Sequence, residues 1–181
     1  MRSVIQVAFL GLIAAAATFQ ALGCAPAREQ NSSTTDISAS QPVTVTDSAT
    51  VDGHTLELRI IGERCVLVAT SSAGAATQEH PLVPAPPCHF LRASGQPPAR
   101  VRAYPDVGTE GVLIVSGTPV SDATRSLWKL PAGAVCGEQA QGVLLRGGHV
   151  LVTRAVRQGG VSCRDMGVDE KEYWTFAHDE K

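Results

Sequence analysis

Residues 51–70, VDGHTLELRIIGERCVLVAT, decide the fold class. Asp52-Gly53 lies between two strand-like runs, which is a strong signal for a two-residue hairpin turn. His54–Ile61 alternates between apolar and polar side chains, as a half-buried strand does. After a turn, residues 65–70 form an apolar run typical of a buried strand. The stretch therefore predicts consecutive antiparallel strands.

Similar short runs recur through the rest of the chain. Turn residues such as Gly147-Gly148 and a break at residues 158–160 separate them. The further predicted strands are 99–104, 111–117, 142–145, 149–156 and 173–178. Helical signals are brief, at residues 121–127 or 169–173. The sequence therefore predicts an all-β fold, a small antiparallel β-sandwich or barrel.

Length and charge narrow the class of protein. A chain of 181 residues suits one compact domain with terminal extensions. The formal net charge is −2, which argues against a nucleic-acid binder. Charge is nevertheless uneven, because residues 54–164 carry 11 basic and 7 acidic side chains, whereas residues 165–181 carry 2 and 6. The simplest expectation is that the acidic end lies against the basic body or solvates the C-terminus, and the alternative is that it steers a cationic partner.

Residues 1–23 have the pattern of an export signal. Arg2 gives a positive start, and an apolar run follows that is too short and too rich in alanine to predict a membrane span. The segment ends in Ala21-Leu22-Gly23-Cys24. An ordinary secretory signal cut after Cys24, near Ala25-Pro26-Ala27, is the alternative interpretation.

The sequence ALGC at 21–24 resembles the lipobox of bacterial lipoproteins. The resemblance implies that Cys24 receives a diacylglyceryl thioether, that signal peptidase II cuts before it, and that its new amino group is acylated. Several acyl chains on one cysteine would make membrane attachment effectively permanent. Ala25 stands where an Asp would imply retention at the inner membrane. The resemblance thus favours an outer-membrane lipoprotein facing the periplasm.

The chain divides into three parts by composition. After the signal peptide of residues 1–23, residues 24–46 hold the lipidated Cys24 and a stretch of Ser, Thr, Ala and Pro with few large apolar residues. Such a stretch buries too little surface to offset its ordering entropy, so a disordered tether is expected. Residues 47–181 are expected to form the β domain.

Four cysteines remain besides Cys24, and an even number in an exported chain indicates disulfides. Three connectivities are available. We favour Cys65–Cys88 with Cys136–Cys163, because each pair closes a local loop around a Pro- or Gly-rich connection. A Cys₄ metal site is disfavoured, since no close C-x-x-C pair occurs.

Motifs of catalysis are not found. The sequence has no G-x-S-x-G elbow, no H-E-x-x-H pair and no phosphate-binding loop. The five histidines show no short ligand spacing; they are His54, His80, His89, His149 and His178. We therefore expect no enzyme activity, no cofactor and no metal site. A serine triad assembled in space is not tested by sequence, because triads are defined by geometry.

Residues 163–178, CRDMGVDEKEYWTFAH, are the most distinctive part of the domain. They combine carboxylates with aromatic residues, as partner-binding surfaces often do. The candidate partner-binding residues are Arg164, Asp165, Asp169, Glu170, Glu172 and Tyr173. The alternatives are a solvated acidic turn before a core strand, with Tyr173 outward and Trp174 and Phe176 inward, and a calcium site, for which the ordered ligand spacing is missing.

The sequence predicts a membrane-anchored lipoprotein that acts as a protein-binding module. Its partners would be the membrane, through the lipid, and a protein of the cell envelope. A specific form is an inhibitor or immunity protein against a secreted hydrolase, by analogy with other small β-rich inhibitor lipoproteins. The alternatives are a structural or assembly lipoprotein of an envelope complex and, with less support, a small cell-envelope hydrolase.

Overall fold

The computed structural model describes residues 42–179, apart from residues 73, 75, 76, 94 and 95. The predicted signal peptide, Cys24 and residues 25–41 of the predicted tether lie outside the described residues. The first strand begins at Val43. Residues 43–46, which the sequence assigns to the tether, are therefore the start of the domain's first strand.

The first four strands form an antiparallel sheet in the order β1-β2-β3-β4. The strands are Val43–Val51 (β1), His54–Ile61 (β2), Arg64–Ser71 (β3) and Gln78–Pro81 (β4). Asp52 and Gly53 join β1 to β2 with φ of 46° and 76°. Two successive residues at positive φ are what a type I′ hairpin turn requires. The predicted hairpin and the predicted bounds of β2 are both confirmed.

A second, five-stranded antiparallel sheet has the order β11-β10-β9-β5. A further strand, β8, pairs with β9 on the same side as β5 but nearer the start of β9. A separate two-stranded hairpin consists of β6 and β7. The strands are His89–Phe90 (β5), Arg92–Ala93 (β6), Gln96–Ala99 (β7), Arg102–Tyr104 (β8), Thr109–Pro119 (β9), Cys136–Arg146 (β10) and His149–Cys163 (β11).

Strand β11 continues through the place where the sequence predicts a break. Gly137 of β10 pairs with Ser162, whereas Gln139 pairs with Gln158, so β11 contains two more residues than β10 between these pairs. Gly159 lies in this bulge with φ of 77°. A bulge accommodates extra residues and bends the strand without ending it. The predicted break is therefore wrong.

The two sheets enclose the main hydrophobic core. The side chains that fill it come from both sheets, which is the arrangement of a β-sandwich. Its central members are Leu56, Leu58, Leu67, Phe90, Leu113, Val115, Val143 and Leu145, all at most 1% exposed. The predicted all-β class with antiparallel sheets is confirmed. Packing of the described strands as two facing sheets corresponds to the sandwich alternative.

Two side chains of β1 connect the sheets at a register shift between Val45 and Asp47. The hydroxyl of Thr46 donates a hydrogen bond to the carbonyl oxygen of Cys88 at 2.7 Å. The carboxylate of Asp47 accepts a hydrogen bond from the backbone N–H of Phe90 at 3.0 Å and pairs with Arg92. The beginning of β1 is thus fastened to the segment that leads into the second sheet.

A second, outer core lies on the other face of the five-stranded sheet. Two helices are present among the described residues, α1 (Asp122–Leu127) and α2 (Glu170–His178), besides a 3-10 turn at Pro105–Val107. Helix α2 packs Tyr173, Phe176 and Ala177 against Val112 and Ile114 of β9. Strand β9 therefore alternates between two buried faces, as its unbroken apolar sequence allows.

The predicted strand at residues 173–178 is wrong, because these residues belong to α2. The buried Tyr173, Phe176 and Ala177 recur at the spacing of one helix face. Asp169 caps the helix, and its carboxylate accepts a hydrogen bond from the backbone N–H of Lys171. The predicted short helix near residues 121–127 is confirmed as α1. No helix in the described part of the chain is long and apolar enough to cross a membrane.

Both predicted disulfides, Cys65–Cys88 and Cys136–Cys163, are confirmed. The first joins β3 to the residue before β5, so it connects the two sheets. The second joins directly paired residues at the open end of the β10–β11 hairpin. Disulfides that close loops of this size typically stabilise a domain by about 3 kcal/mol.

Candidate functional site

The predicted acidic segment is largely bound to the protein's own arginines. The carboxylate of Glu170 lies 2.8 Å from Nε of Arg102 and 3.5 Å from Nη2 of Arg100. It also accepts a hydrogen bond from the hydroxyl of Tyr104. Glu172 forms an ion pair with Arg157. The expectation that the acidic end lies against the basic body is confirmed.

The remaining polar candidates are also engaged locally. Arg164 and Asp165 form an ion pair at 2.8 Å. The hydrogen bond from the Arg164 guanidinium holds the pKa of Asp165 below its usual value. Asp169 is the cap of α2 described above. These residues thus position α2 and the turn before it, and their carboxylates are already partnered.

Tyr173 is not part of the surface. Its side chain is fully buried in the outer core, with the Arg100 guanidinium 5.4 Å from the ring centre. Burial raises the pKa of Tyr173 to about 12. Trp174 is half-exposed instead. The expectation of an outward Tyr173 and an inward Trp174 is wrong, because it assumed the two-residue period of a strand; the inward expectation for Phe176 is confirmed.

The end of α2 is fastened by His178. Its ring stacks on Trp174, with 4.0 Å between the ring centres. Its Nε2 lies 2.9 Å from the carboxylate of Asp106 in the turn before β9. This hydrogen bond is the main reason that the pKa of Asp106 is lowered. Helix α2 is thereby held at both ends, by Asp169 and by His178.

The large apolar side chain with the greatest exposure among the described residues lies at a different place, which we call the corner (residues 121–134). Leu127, at the end of α1, is 79% exposed, and Trp128 next to it is 54% exposed. Lys129 follows with φ of 50°, a left-handed conformation that is uncommon for a residue with a side chain. Adjacent exposed leucine and tryptophan side chains mark a surface suited to binding, since isolated apolar residues are ordinary but grouped ones are not.

The corner is braced in spite of its exposure. The hydroxyl of Ser121 accepts a hydrogen bond from the backbone N–H of Thr124 and caps α1. Both terminal nitrogens of Arg125 donate to the carbonyl oxygen of Ala134 at 3.2 Å, which closes the corner across its base. Beyond Ala134 the chain enters β10 at the disulfide-bonded Cys136. Leu127 and Trp128 are therefore presented on a fixed backbone.

A cleft of about 370 Å³ lies on the other side of Arg125. It is bounded by β5, the C-terminal end of β9, the start of β10 and the base of the corner. Among the described residues that line it, the charged or titratable side chains are Arg125, Arg164 and His89, and there is no Asp or Glu. Burial lowers the pKa of His89. The charge of Asp47 raises this pKa, whereas the charges of Arg164 and Arg92 lower it. The neutral form of the His89 ring is therefore favoured.

Ser116 and His89 line this cleft together and are directly paired residues of β9 and β5. This combination is what a serine hydrolase would need. The Ser116 hydroxyl, however, donates a hydrogen bond to the carbonyl oxygen of Ser162 at 2.9 Å. A serine nucleophile has to give its proton to a base, and this one is directed at a backbone acceptor.

Metal binding has no candidate in the structure. Among the described residues, no group of three or more His, Cys, Asp or Glu side chains is placed to hold an ion. The four cysteines of the domain are consumed by the two disulfides.

Comparison with known proteins found no match: no family model matches the chain, and no curated protein or solved structure matches it. The corner and the cleft are therefore the features from which a function can be inferred.

Of the residues of these two features, sequence reasoning named Arg164, which lines the cleft, but it did not find Leu127, Trp128 or Arg125. Leu127 is the last residue of the short capped helix α1 and Trp128 follows it, and the exposure of both depends on how the corner is held. Arg125 and His89 are 36 residues apart and meet only through the strand pairing. One sequence signal could have corrected the strand prediction for α2. Asp169 followed three residues later by Glu172 is similar to a capping box, which marks the start of a helix.

Proposed function

We propose that this chain is a bacterial envelope lipoprotein whose β domain binds a protein partner through the corner. Exposed Leu127 and Trp128 on a braced backbone carry the proposal, because tryptophan is among the residues that contribute most at interfaces and a rigid backbone reduces the entropy lost on binding. The anchor is Cys24, and the location is the outer membrane facing the periplasm. The two disulfides support an oxidising compartment.

The partner we propose is a secreted hydrolase, which the domain would inhibit or give immunity against. An active site is a concave pocket, and a projecting, braced corner with an apolar tip has the complementary shape. Lys129 adds a positive charge beside the tip, which suits clefts with catalytic carboxylates such as those of glycoside hydrolases. A structural or assembly role in an envelope complex would use the same surface with a different partner.

The test is an inhibition assay with the purified chain and a panel of secreted hydrolases that includes wall-degrading glycosidases. We expect stoichiometric inhibition of one of them. Trp128→Ala should weaken it by about 30-fold, or about 2 kcal/mol, as for a central interface tryptophan. Trp174→Ala is the matched control, because Trp174 is similarly exposed but lies on α2. Equal effects of the two substitutions, or binding to an envelope complex without inhibition, would contradict the inhibitor role.

The anchor is tested separately. Cys24→Ala should leave the protein unprocessed or release it into the soluble periplasm. A Cys24→Ala protein that loses its signal peptide and still fractionates with membranes would exclude the lipid anchor. Intact mass of the wild-type protein should show acyl chains on residue 24.

A small hydrolase that uses Ser116 and His89 is the second candidate, favoured by their joint position in the cleft. It has less support because of the hydrogen bond from Ser116 to Ser162. A fluorophosphonate probe that labels active serines distinguishes the two: covalent labelling of Ser116 would favour catalysis, and no labelling is expected for a binding module.

A further inference from the structure

The cleft beside the corner has the size and walls of a ligand site. Its volume of about 370 Å³ is in the range of small-molecule sites. Its apolar walls are formed by Pro87, Pro119, Val135 and Cys136. The disulfide of Cys136 and the strand pairing of β9 with β10 hold these walls in place. The cleft is therefore preformed.

The charge of the cleft is positive and only partly balanced. Arg125 uses two N–H groups on the carbonyl oxygen of Ala134, which carries no charge, and forms no ion pair with any residue that the structure describes. Arg164 is paired with Asp165, which occupies Nε and one terminal nitrogen. A guanidinium has five N–H groups, so both arginines keep donors for a further acceptor. One unbalanced positive charge remains, and it belongs to Arg125.

His89, which also lines the cleft, has an unpaired polar atom. Its Nδ1 is buried and has no hydrogen-bond partner. Buried polar atoms are normally paired, and an exception often marks a place where a ligand or water binds. A neutral ring can accept or donate one hydrogen bond here according to its tautomer, without adding a second charge.

We propose that the cleft binds a carboxylate carried on a short apolar body. A single unbalanced guanidinium matches the charge of one carboxylate, and a planar carboxylate accepts from a guanidinium in matching geometry. The proline, valine and disulfide walls match the apolar body. The carboxylate could come from the C-terminus of a peptide or from a free organic acid. This site is separate from the tip of the corner and does not depend on the proposed inhibition.

Calorimetric titration of the purified chain tests the proposal. The probes are N-acetyl-alanyl-alanine, its C-terminal amide and propionate. We expect saturable binding of at least one acid, at least tenfold weaker binding of the amide, and weaker binding of the acid at higher salt. Preference for the dipeptide would identify a peptide terminus as the source, and equal binding of propionate would identify a free acid.

Variants locate the binding. Arg125→Gln should weaken binding of the acid at least tenfold. Arg164→Gln should also weaken binding of the acid. This variant leaves the bonds from Arg125 to Ala134 in place, so it still tests the proposal if Arg125→Gln loosens the corner. Arg59→Gln is the matched control, because Arg59 is paired with Glu57 on the other sheet. Absence of saturable acid binding, equal binding of the amide, or equal loss in the control would each overturn the proposal.

Discussion

The two faces of the five-stranded sheet are both buried, but in different ways. The inner face packs against the four-stranded sheet. The Cys65–Cys88 disulfide and the contacts of Thr46 and Asp47 join the two sheets. The outer face meets one helix of nine residues that buries three side chains. The inner core is therefore fixed by many pairings at once, whereas the outer core depends on the hydrogen bonds and ion pairs at the ends of α2.

This difference separates two kinds of stability. Global unfolding has to open the inner core, whereas α2 can leave the sheet as a local event of lower free energy. The ion pairs of Glu170 and Glu172, in the acidic segment that the sequence marks for a partner, oppose that local event.

The largest expected effect comes from the matched phenylalanines of the two cores. Phe90→Ala should lower the free energy of unfolding by about 4 kcal/mol, because the inner core cannot collapse around the space left. Phe176→Ala should cost about 3 kcal/mol, because α2 can settle toward the sheet. Guanidinium unfolding followed by circular dichroism measures both. A larger loss for Phe176→Ala would reverse the ranking of the cores.

A smaller effect is expected when α2 is pushed away from the sheet. A Cβ added at Gly142 would lie 2.9 Å from the ring and Cβ of Phe176 and 2.8 Å from Thr153. Gly142→Ala should cost about 2 kcal/mol and speed amide exchange in α2. Gly111→Ala is the control, since its nearest contact is a Val101 methyl at 3.1 Å. Faster exchange throughout the inner core instead would show that the faces are not independent.

Removal of the charge that holds the start of α2 should have a still smaller effect. Glu170→Gln breaks ion pairs with Arg100 and Arg102 at a half-exposed position, so a loss of about 0.5–1 kcal/mol is expected. High salt should reduce the difference. Glu57→Gln, which removes a single pair with Arg59, should cost less in the same thermal unfolding experiment. Equal losses of stability in Glu170→Gln and Glu57→Gln would mean that the ion pairs of Glu170 contribute no more than the single pair of Glu57.

The smallest expected effect is a dependence of the stability of α2 on pH in the acidic range. The pKa of Asp106 is lower in the folded protein than its ordinary value of 3.8, so its bond to His178 stabilises the fold at higher pH. That contribution should be lost as the pH falls from 3.8 through the folded pKa. Asp106→Asn should remove this part of the pH dependence of α2 amide exchange. An unchanged profile in the variant would exclude Asp106 as its source.

Strands β2 and β3 and both disulfides are predictable because their signals are local, whereas the sequence assigns the start of β1 to the tether and does not predict β4. Asp52-Gly53 fixes a hairpin by its backbone preference, and β2 alternates over its whole length. The interpretation of residues 173–178 fails because Tyr173, Trp174 and Phe176 have strand propensity, while burial against the sheet selects the helix. The sequence near Asp169 contained the helix start, but an all-β expectation outweighed it.

The candidate site is much less predictable than the fold. The cleft is formed by side chains from β5, α1 and the turn after β11, and their meeting follows from strand order, which the sequence does not specify. The exposure of Leu127 and Trp128 depends on the bonds from Arg125 to Ala134 at the base of the corner. Both features are products of long-range packing, which short motifs do not encode.

The contacts of Thr46 and Asp47 also determine how force would travel through the domain. A pull applied at Val43 would first separate the pairs of residues 43–45 with β2, one pair at a time. It would then reach Thr46 and Asp47, which pass the load to Cys88 and the covalent bond between the sheets. Mechanical opening from this end should therefore pause after three pairs, until the hydrogen bonds of Thr46 and Asp47 and the ion pair with Arg92 break.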